Sequence, residues 1–218
     1  MKIISVNVGL PRLVLRNGEP VSTGIFKEPV AGRVMMRTLN LAGDRQADLS
    51  VHGGPEKAVY VYPSEHYDFW KHELPEMDLP WGVFGENLTT TGLFETAVNI
   101  GDRFRVGTAE VMVTQPRMPC YKLGIRFGRA DIIKRFLISE RSGFYLSVLK
   151  EGDVGEDEFQ LLHKNGSGVR VVDITRLYSS EKENVDLIRR AIATEGLPES
   201  WREYLQKRLE NLGHGQDG

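Results

Sequence analysis

The chain has 218 residues, of which 40% are hydrophobic and 27% charged, and its formal net charge is -2. These values are ordinary for a globular protein, and no apolar run approaches the roughly 18 residues of a membrane span. Proteins that bind nucleic acids usually carry a basic excess, so the charge argues against such a partner. The single cysteine rules out an internal disulfide and fits a reducing compartment. We therefore expect a cytoplasmic protein that acts on a small molecule, with no membrane or nucleic-acid partner.

Short β-strands dominate the prediction from the N-terminus to Lys164. The segments with strand length and β-branched or aromatic content are KIISVNVG, TGIFKEPV, RVMMRTL, AVYVYP, TAVNIGDRFRVG, AEVMVTQ, GFYLSVL and DEFQLLHK. Gly107 and Thr108 mark the turn of one hairpin, and only residues 63–74 and 131–140 have a helical pattern. Closely spaced strands favour a barrel or a sandwich over a parallel α/β sheet. We predict a mostly β domain over residues 1–164.

The composition changes at Lys164–Arg170, a glycine-containing stretch that is typical of a linker. Capping boxes at Ser180–Glu183 and Ser200–Glu203 then precede apolar stripes with helical spacing, and residues 173–178 predict a short helix before them. Residues 165–218 therefore predict a three-helix extension that is too small to be stable alone. Basic and acidic residues are nearly balanced in it, which argues against a DNA-binding helix pair.

The only cysteine, Cys120, lies in the segment QPRMPCYKLG. Pro116 and Pro119 restrict this segment to few conformations, and Arg117 and Lys122 flank the sulfur. A lone cysteine is most often a small buried hydrophobic residue. Nearby cations, however, favour the thiolate, which is the form that binds a metal or attacks an electrophile. Neither a second cysteine nor a paired-histidine motif supports a zinc site built by the protein alone. A metal at this sulfur would therefore arrive inside a cofactor.

Such a cofactor needs an anchor, and the segment HGGPEK offers one. Its glycines supply adaptable backbone N–H groups and Lys57 adds a positive charge, a combination that suits a phosphate group. Arg45, Arg103 and Arg117 are further candidate cations. The segment lacks the G-x-x-x-x-G-K-[ST] pattern of a P-loop. We predict an anionic ligand near Lys57 and Arg117.

Several polar and glycine-rich segments follow one another in a characteristic order over residues 20–165. They are STGIFKEPV, GDRQADLSVHGGPEKAVYVYPSEHY, FGENLTTTGL, IGDRFRVG, QPRMPCYKLGIRFG and RSGFYL. As an ordered set they closely resemble the MOSC-domain proteins, named for the C-terminal domain of molybdenum cofactor sulfurase. Within that family the chain resembles the YiiM type, the hydroxylaminopurine reductases, and its tail resembles the C-terminal three-helix extension of this type.

The resemblance implies a MOSC-type β-barrel with a few short helices, a molybdopterin cofactor, and reduction of N-hydroxylated substrates such as hydroxylaminopurine. It implies that Cys120 matches the cysteine that ligates molybdenum, and that a separate flavoprotein reductase supplies electrons. The flanks of Cys120 differ from those of the mitochondrial amidoxime-reducing branch, so pterin contacts cannot be copied from that branch. From motif position and chemistry, the residues predicted to bind the cofactor are His52, Lys57, Asn87, Arg117, Ser142 and Arg45. The residues predicted to supply protons are Lys122 and His52.

Two other functions stay open at this point. The protein could carry the molybdenum cofactor or sulfur without turnover of its own, with Cys120 holding a persulfide or a transferable pterin. It could also use Cys120 as a metal-free nucleophile, although no signature of a base and an orienting partner is found. Every candidate site residue precedes Lys164, so we expect the C-terminal extension to be separable from cofactor binding.

Overall fold

The computed structural model describes residues 1–47 and 53–214, except for the side chain of His214. The strands in this part of the chain are β1 Lys2–Val8, β2 Arg12–Arg16, β3 Glu19–Thr23, β4 Glu28–Val30, β5 Val34–Met36, β6 Val59–Pro63, β7 Leu88–Thr91, β8 Arg103–Val106, β9 Ala109–Pro116, β10 Phe144–Lys150, β11 Gly152–Val154 and β12 Phe159–His163. The α-helices are α1 Glu65–Glu73, α2 Tyr121–Phe127, α3 Ile132–Ile138, α4 Val171–Tyr178, α5 Val185–Ala193 and α6 Glu199–His214.

Eight of the strands form one mixed sheet in the order β12-β8-β9-β10-β6-β7-β1-β4. Its neighbouring strands are antiparallel except for β6 and β7, which run parallel. Strands β11 and β5 form one separate pair and β2 and β3 another. The predicted hairpin is confirmed: β8 pairs with β9 around Gly107, whose φ of 56° suits a tight turn.

The two ends of the large sheet approach each other without closing. Lys2 forms an isolated bridge with Glu158, next to the edge strand β12, and the backbone N–H of Phe159 donates to the carbonyl of Met1 at 3.0 Å. No continuous ladder joins the edges among the described strands. The predominance of β-structure is therefore confirmed, while closure into a barrel stays a prediction.

In the described residues, three α-helices precede the C-terminal extension, one more than the sequence predicts. Helices α1 and α3 lie inside the two predicted ranges. Helix α2 was not predicted, because Gly124 interrupts a segment of only seven residues and lowers its helical propensity. The buried pair Leu123 and Phe127, four residues apart, and Gly128 at a φ of 64° are the signals that mark this helix.

The C-terminal extension has the three predicted helices, but their starts differ from the prediction. Helix α5 follows Asn184, whose side chain accepts the backbone N–H of Leu187 at 3.1 Å. The capping box predicted at Ser180–Glu183 is therefore wrong. Helix α6 begins at Glu199, so Ser200 lies within its first turn instead of preceding it. Within the described residues, no helix is both long and apolar enough to cross a membrane.

The extension shares one hydrophobic core with the sheet. Val111 and Val113 of β9 belong to the same buried cluster as Ile174, Ile188 and Leu205 of the three helices. The stretch predicted as a linker is itself held against the residues that precede β8. The N–H of Asn165 donates to Asp102 Oδ1 at 2.8 Å, and the carbonyl of Val169 accepts the N–H of Ile100 at 2.9 Å. The helices are thus fixed against the strand that leads to the cysteine.

Candidate active site

Cys120 lies on a short connection between the sheet and helix α2. Strand β9 ends at Pro116, and the next N–H, that of Arg117, still donates to the carbonyl of Gly143 at 3.3 Å. Cys120 has extended backbone angles of -128° and 175°, and its carbonyl accepts the N–H of Leu123 at 2.9 Å. Strand and helix therefore fix both sides of the thiol, which is half-buried and free.

A cavity of about 100 Å³ opens beside this thiol. Six residues predicted for the site line it, namely Cys120, Lys122, Lys57, Asn87, Arg117 and Arg45. Lys27 brings the basic side chains in the wall to five, and no carboxylate is found among the described lining residues. Concentrated positive charge in a cleft attracts anions, so the cavity suits an anionic ligand.

Arg117 combines deep burial with a hydrogen-bond donor that the described residues leave unsatisfied. It is only 6% exposed, and its Nη1 atom has no hydrogen-bond partner in the described part of the chain. The guanidinium carbon lies 5.5 Å from the ring centroid of Tyr60 and 5.2 Å from that of Phe136, so aromatic faces hold it in place. Leaving a buried charged donor unpaired is costly. The geometry therefore fits an anion that a ligand supplies.

The tyrosines beside Arg117 do not supply that anion. Burial raises the pKa of Tyr60 well above its usual value. Burial also raises the pKa of Tyr145, although the nearby Arg117 opposes this shift. Both phenols are neutral at neutral pH and offer only hydroxyl groups to the cavity.

A buried polar network shapes another part of the cavity wall, around Lys27 and Asn87. Lys27 forms an ion pair with Asp44, and burial lowers the pKa of Lys27 while the carboxylate opposes that shift. The Asn87 amide donates to Asp44 Oδ2 at 2.9 Å and accepts the backbone N–H of Tyr60 at 3.0 Å. Because both ends of this amide are engaged within the protein, Asn87 positions the wall of the cavity. Its contact with a cofactor stays a prediction.

Glu86 holds the turn next to Asn87 from within the core. It is fully buried, and its carboxylate accepts the N–H of Gly82 at 2.9 Å, the N–H of Phe84 at 3.1 Å and the hydroxyl of Thr89 at 3.0 Å. The hydroxyl of Tyr67 donates to the same carboxylate. Burial raises the pKa of Glu86, and these hydrogen bonds oppose the shift. The network keeps the neighbouring Gly85 in the cavity wall.

We expect Glu86→Gln to lower the free energy of unfolding by about 1–3 kcal/mol, because the new amide places an NH2 group against backbone donors. A urea titration at pH 7 measures the change. Glu183→Gln, at an exposed position, is the matched control and should shift the value by no more than about 0.5 kcal/mol. Equal stability of the two variants would show that the carboxylate does not hold the turn.

The HGGPEK anchor is described only from Gly53 onward. Gly54 has a φ of 94°, a conformation that side chains disfavour, and its carbonyl accepts the N–H of Lys57 at 3.1 Å. A short 3-10 turn over Pro55–Lys57 follows and brings Lys57 to the cavity wall. His52 lies outside the described residues, so its two predicted roles stay predictions.

Two other candidates lie away from the cavity lining. Ser142 is buried; its hydroxyl donates to the next carbonyl at 2.8 Å, and its own carbonyl accepts the Tyr60 hydroxyl at 2.8 Å. Ser142 therefore affects the cavity through Tyr60, and its predicted contact with a cofactor has no support from this placement. Arg103 pairs with Glu195 at 2.6 Å on the surface and is not part of the site.

A second cavity, of about 360 Å³, meets the first one at Cys120. The residues that line both are Lys57, Met118, Cys120 and Tyr145. The far wall of the second cavity comes from the C-terminal extension, with Tyr178 of α4 and Ser200, Trp201 and Tyr204 of α6. The extension thus helps to build the space around the thiol, and its separability from cofactor binding stays a prediction.

Sequence reasoning missed these aromatic residues because an aromatic residue at helical spacing is usually part of a core. In the sequence, Trp201 and Tyr204 fall on the apolar stripe that begins at Ser200–Glu203, a pattern that predicts packing. Trp201 indeed packs, and its indole N–H donates to Gln115 Oε1 at 3.0 Å. That hydrogen bond reaches the start of the cysteine segment, so the same ring both packs and faces the cavity.

Two protein families match this chain, one over the β-rich part and the other over the C-terminal extension. The MOSC domain family matches residues 48–159, and the YiiM-like, 3-alpha helix domain family matches residues 171–212. Protein YiiM of Escherichia coli (strain K12) is 39% identical over 193 residues, which cover 88% of this chain and 85% of YiiM. The crystal structure of YiiM from Geobacillus stearothermophilus is similar with a TM-score of 0.80 at 34% identity, over 95% of this chain and 98% of that one.

These matches show that the chain belongs to the MOSC-domain family. Within the family it is of the YiiM-like type, in which a MOSC domain is followed by a three-helix domain. A protein named Reductase from Gibberella moniliformis (strain M3125 / FGSC 7600) is 34% identical over 175 residues, which cover 78% of this chain and 31% of that longer protein. The family resemblance noted in the sequence is confirmed, and with it a function of the MOSC type.

Proposed function

We propose that the protein is a molybdenum-cofactor-dependent reductase of N-hydroxylated compounds, with Cys120 as the protein ligand of the metal. The observation that carries the proposal is the buried Nη1 atom of Arg117, which has no hydrogen-bond partner in the described residues and lies in a cationic cavity beside the chain's single thiol. The MOSC family and the relative named Reductase support the same chemistry.

The residues of the cavity fit this cofactor by their chemistry. A thiolate is a soft ligand that suits a molybdenum centre. In the described residues no group of three or more His, Cys, Asp or Glu side chains is placed to hold a metal ion, which fits a metal whose other ligands come with the cofactor. Arg117, Lys57 and Arg45 are the cations that would hold its phosphate.

The proposed reaction takes a substrate of the form R–NHOH to R–NH2 and water. The N–O bond breaks, and two electrons and two protons are consumed; a flavoprotein reductase is the proposed electron source. The molybdenum cofactor, when bound, supplies the redox chemistry. The protein positions the N–O bond beside Cys120 and delivers protons. Lys122 Nζ, in the wall of the same cavity, is the proposed proton donor, with His52 as the second candidate.

The test is a metal and turnover analysis of the full chain produced in cells that are competent for molybdenum cofactor synthesis. We expect molybdenum and pterin to copurify in near-equal amounts with the protein. With a flavoprotein reductase present, hydroxylaminopurine should be converted to adenine over many turnovers.

The outcomes separate the proposal from its alternatives. Bound cofactor without sustained turnover would favour a carrier of the cofactor or of sulfur. Protein that is folded but takes up no molybdenum in competent cells, while a known molybdenum enzyme in the same cells does, would contradict the proposal itself.

A further inference from the structure

We infer that Glu95 is a positioning residue for the candidate active site, because it fixes a peptide bond that orients two residues of the cavity wall. The inference rests on the proposed function and adds a residue that is not among the described lining residues of either cavity. Glu95 is only 3% exposed and lies in a turn a few residues after β7. A buried carboxylate needs hydrogen-bond partners, and one partner of Glu95 is the backbone next to the cysteine segment.

The peptide bond between Ser142 and Gly143 is held from both sides. Its N–H, which belongs to Gly143, donates to Glu95 Oε1 at 2.6 Å. Its carbonyl, which belongs to Ser142, accepts the hydroxyl of Tyr60 at 2.8 Å. A carboxylate forms stronger hydrogen bonds than a neutral acceptor does, so Glu95 fixes the orientation in which this peptide can also receive Tyr60. Rotation of the peptide would break both hydrogen bonds at once.

Gly143 connects this peptide to Arg117. Its φ is 60°, and a Cβ atom there would lie 2.4 Å from the carbonyl oxygen of Val61, so only glycine fits at this position. In this conformation the carbonyl of Gly143 accepts the backbone N–H of Arg117 at 3.3 Å. The Tyr60 ring, in turn, lies 5.5 Å from the Arg117 guanidinium. The orientation of one peptide therefore sets both the backbone of Arg117 and one of its aromatic neighbours.

Two further contacts keep Glu95 itself in place. His66 Nε2, on helix α1, lies 2.8 Å from Glu95 Oε2, and the backbone carbonyl of Glu95 accepts the N–H of Val172, in the first turn of α4, at 3.1 Å. The pair with His66 alone would give Glu95 a purely structural role. The bond to Gly143 adds the link to the site, and residues that orient the groups around a metal change its affinity by about 10–100-fold.

Glu95→Met and Glu95→Gln test this inference on the full chain. Glutamine keeps an oxygen that accepts the Gly143 N–H and an NH2 group that can donate to His66 Nε2, whereas methionine has neither. We expect amide hydrogen exchange at Gly143 and Arg117, measured by NMR on cofactor-free protein, to be at least tenfold faster in Glu95→Met and close to wild type in Glu95→Gln. Molybdenum content after production in cofactor-competent cells should fall at least tenfold in Glu95→Met only.

Asp102→Leu is the matched control, since Asp102 is also a fully buried carboxylate and is not among the described lining residues. It accepts the N–H groups of Asn99 and Asn165, each at 2.8 Å. The control should lose stability but keep the wild-type exchange at Gly143 and the wild-type molybdenum content per folded molecule. Equal loss of molybdenum in Asp102→Leu and Glu95→Met would overturn the inference, because general destabilisation would then explain both.

Wild-type amide exchange and normal molybdenum content in a folded Glu95→Met variant would also overturn the inference. If that variant does not fold, the double variant Glu95→Met/His66→Leu takes its place, since replacing both members of a buried pair by apolar residues is often tolerated. The same two losses are expected in it, and wild-type values would contradict the role of Glu95. If the wild-type protein takes up no molybdenum, the proposed function fails, while the amide exchange still decides whether Glu95 positions Arg117.

Discussion

Cys120→Ser should abolish the reduction of hydroxylaminopurine while the protein stays folded. Serine keeps the volume of the side chain, but its hydroxyl is a hard group that hardly ionises near neutral pH, so it does not replace a thiolate as a ligand of molybdenum. The thiol is half-buried at a cavity wall, so the hydroxyl can reach water. We expect the free energy of unfolding to change by less than about 1 kcal/mol.

The measurement compares turnover per folded molecule and molybdenum content in Cys120→Ser, Cys120→Ala and the wild type, with a flavoprotein donor present. Both variants should fall to background turnover. If the sulfur only packs, the pattern is reversed: stability drops modestly and turnover survives. A folded serine variant with normal turnover and normal molybdenum content would remove Cys120 from the site.

The sequence predicted the site better where chemistry is local than where it depends on packing. The rigid, basic setting of Cys120 is visible in the segment QPRMPCYKLG, and Arg117 and Lys122 do line the same cavity as the thiol. Lys27 was not found, because its role comes from an ion pair with Asp44, seventeen residues away along the chain, that only the fold brings together.

The role of the C-terminal helices could not be predicted from their pattern. The same period that buries Leu205 and Trp201 also turns Tyr204 toward the cavity, and periodicity alone does not tell one apolar neighbour from another. Helix α2 was missed for a related reason: Gly124 weakens its propensity, and contacts of Leu123 and Phe127 with the core outweigh that weakness. Both failures are tertiary effects that a single sequence does not display.

Arg117→Met should change stability and cofactor content in opposite directions. Methionine is unbranched, uncharged and shorter than arginine, so it removes a buried donor that lacks a partner among the described residues. Replacing such a group by an apolar one is often neutral or stabilising by about 1–4 kcal/mol, although the contacts of the guanidinium with Tyr60 and Phe136 are lost. We therefore expect protein made without the cofactor to be as stable as the wild type or more stable. Protein made in cofactor-competent cells should contain at least tenfold less molybdenum, because the guanidinium with the unsatisfied Nη1 atom then no longer pairs with the cofactor's phosphate.

Arg126→Met is the matched control for this experiment. Arg126 also has a buried side-chain nitrogen without a partner in the described residues, and burial lowers its pKa, but it does not line the cavity. The control should show a similar stability and an unchanged molybdenum content. Thermal unfolding of the cofactor-free proteins and metal analysis of the loaded ones give both readouts. Normal molybdenum content in Arg117→Met would place the phosphate anchor elsewhere. If the cofactor-free variant unfolds, Arg117 has a structural role: its contacts with Tyr60 and Phe136 stabilise the fold without a ligand.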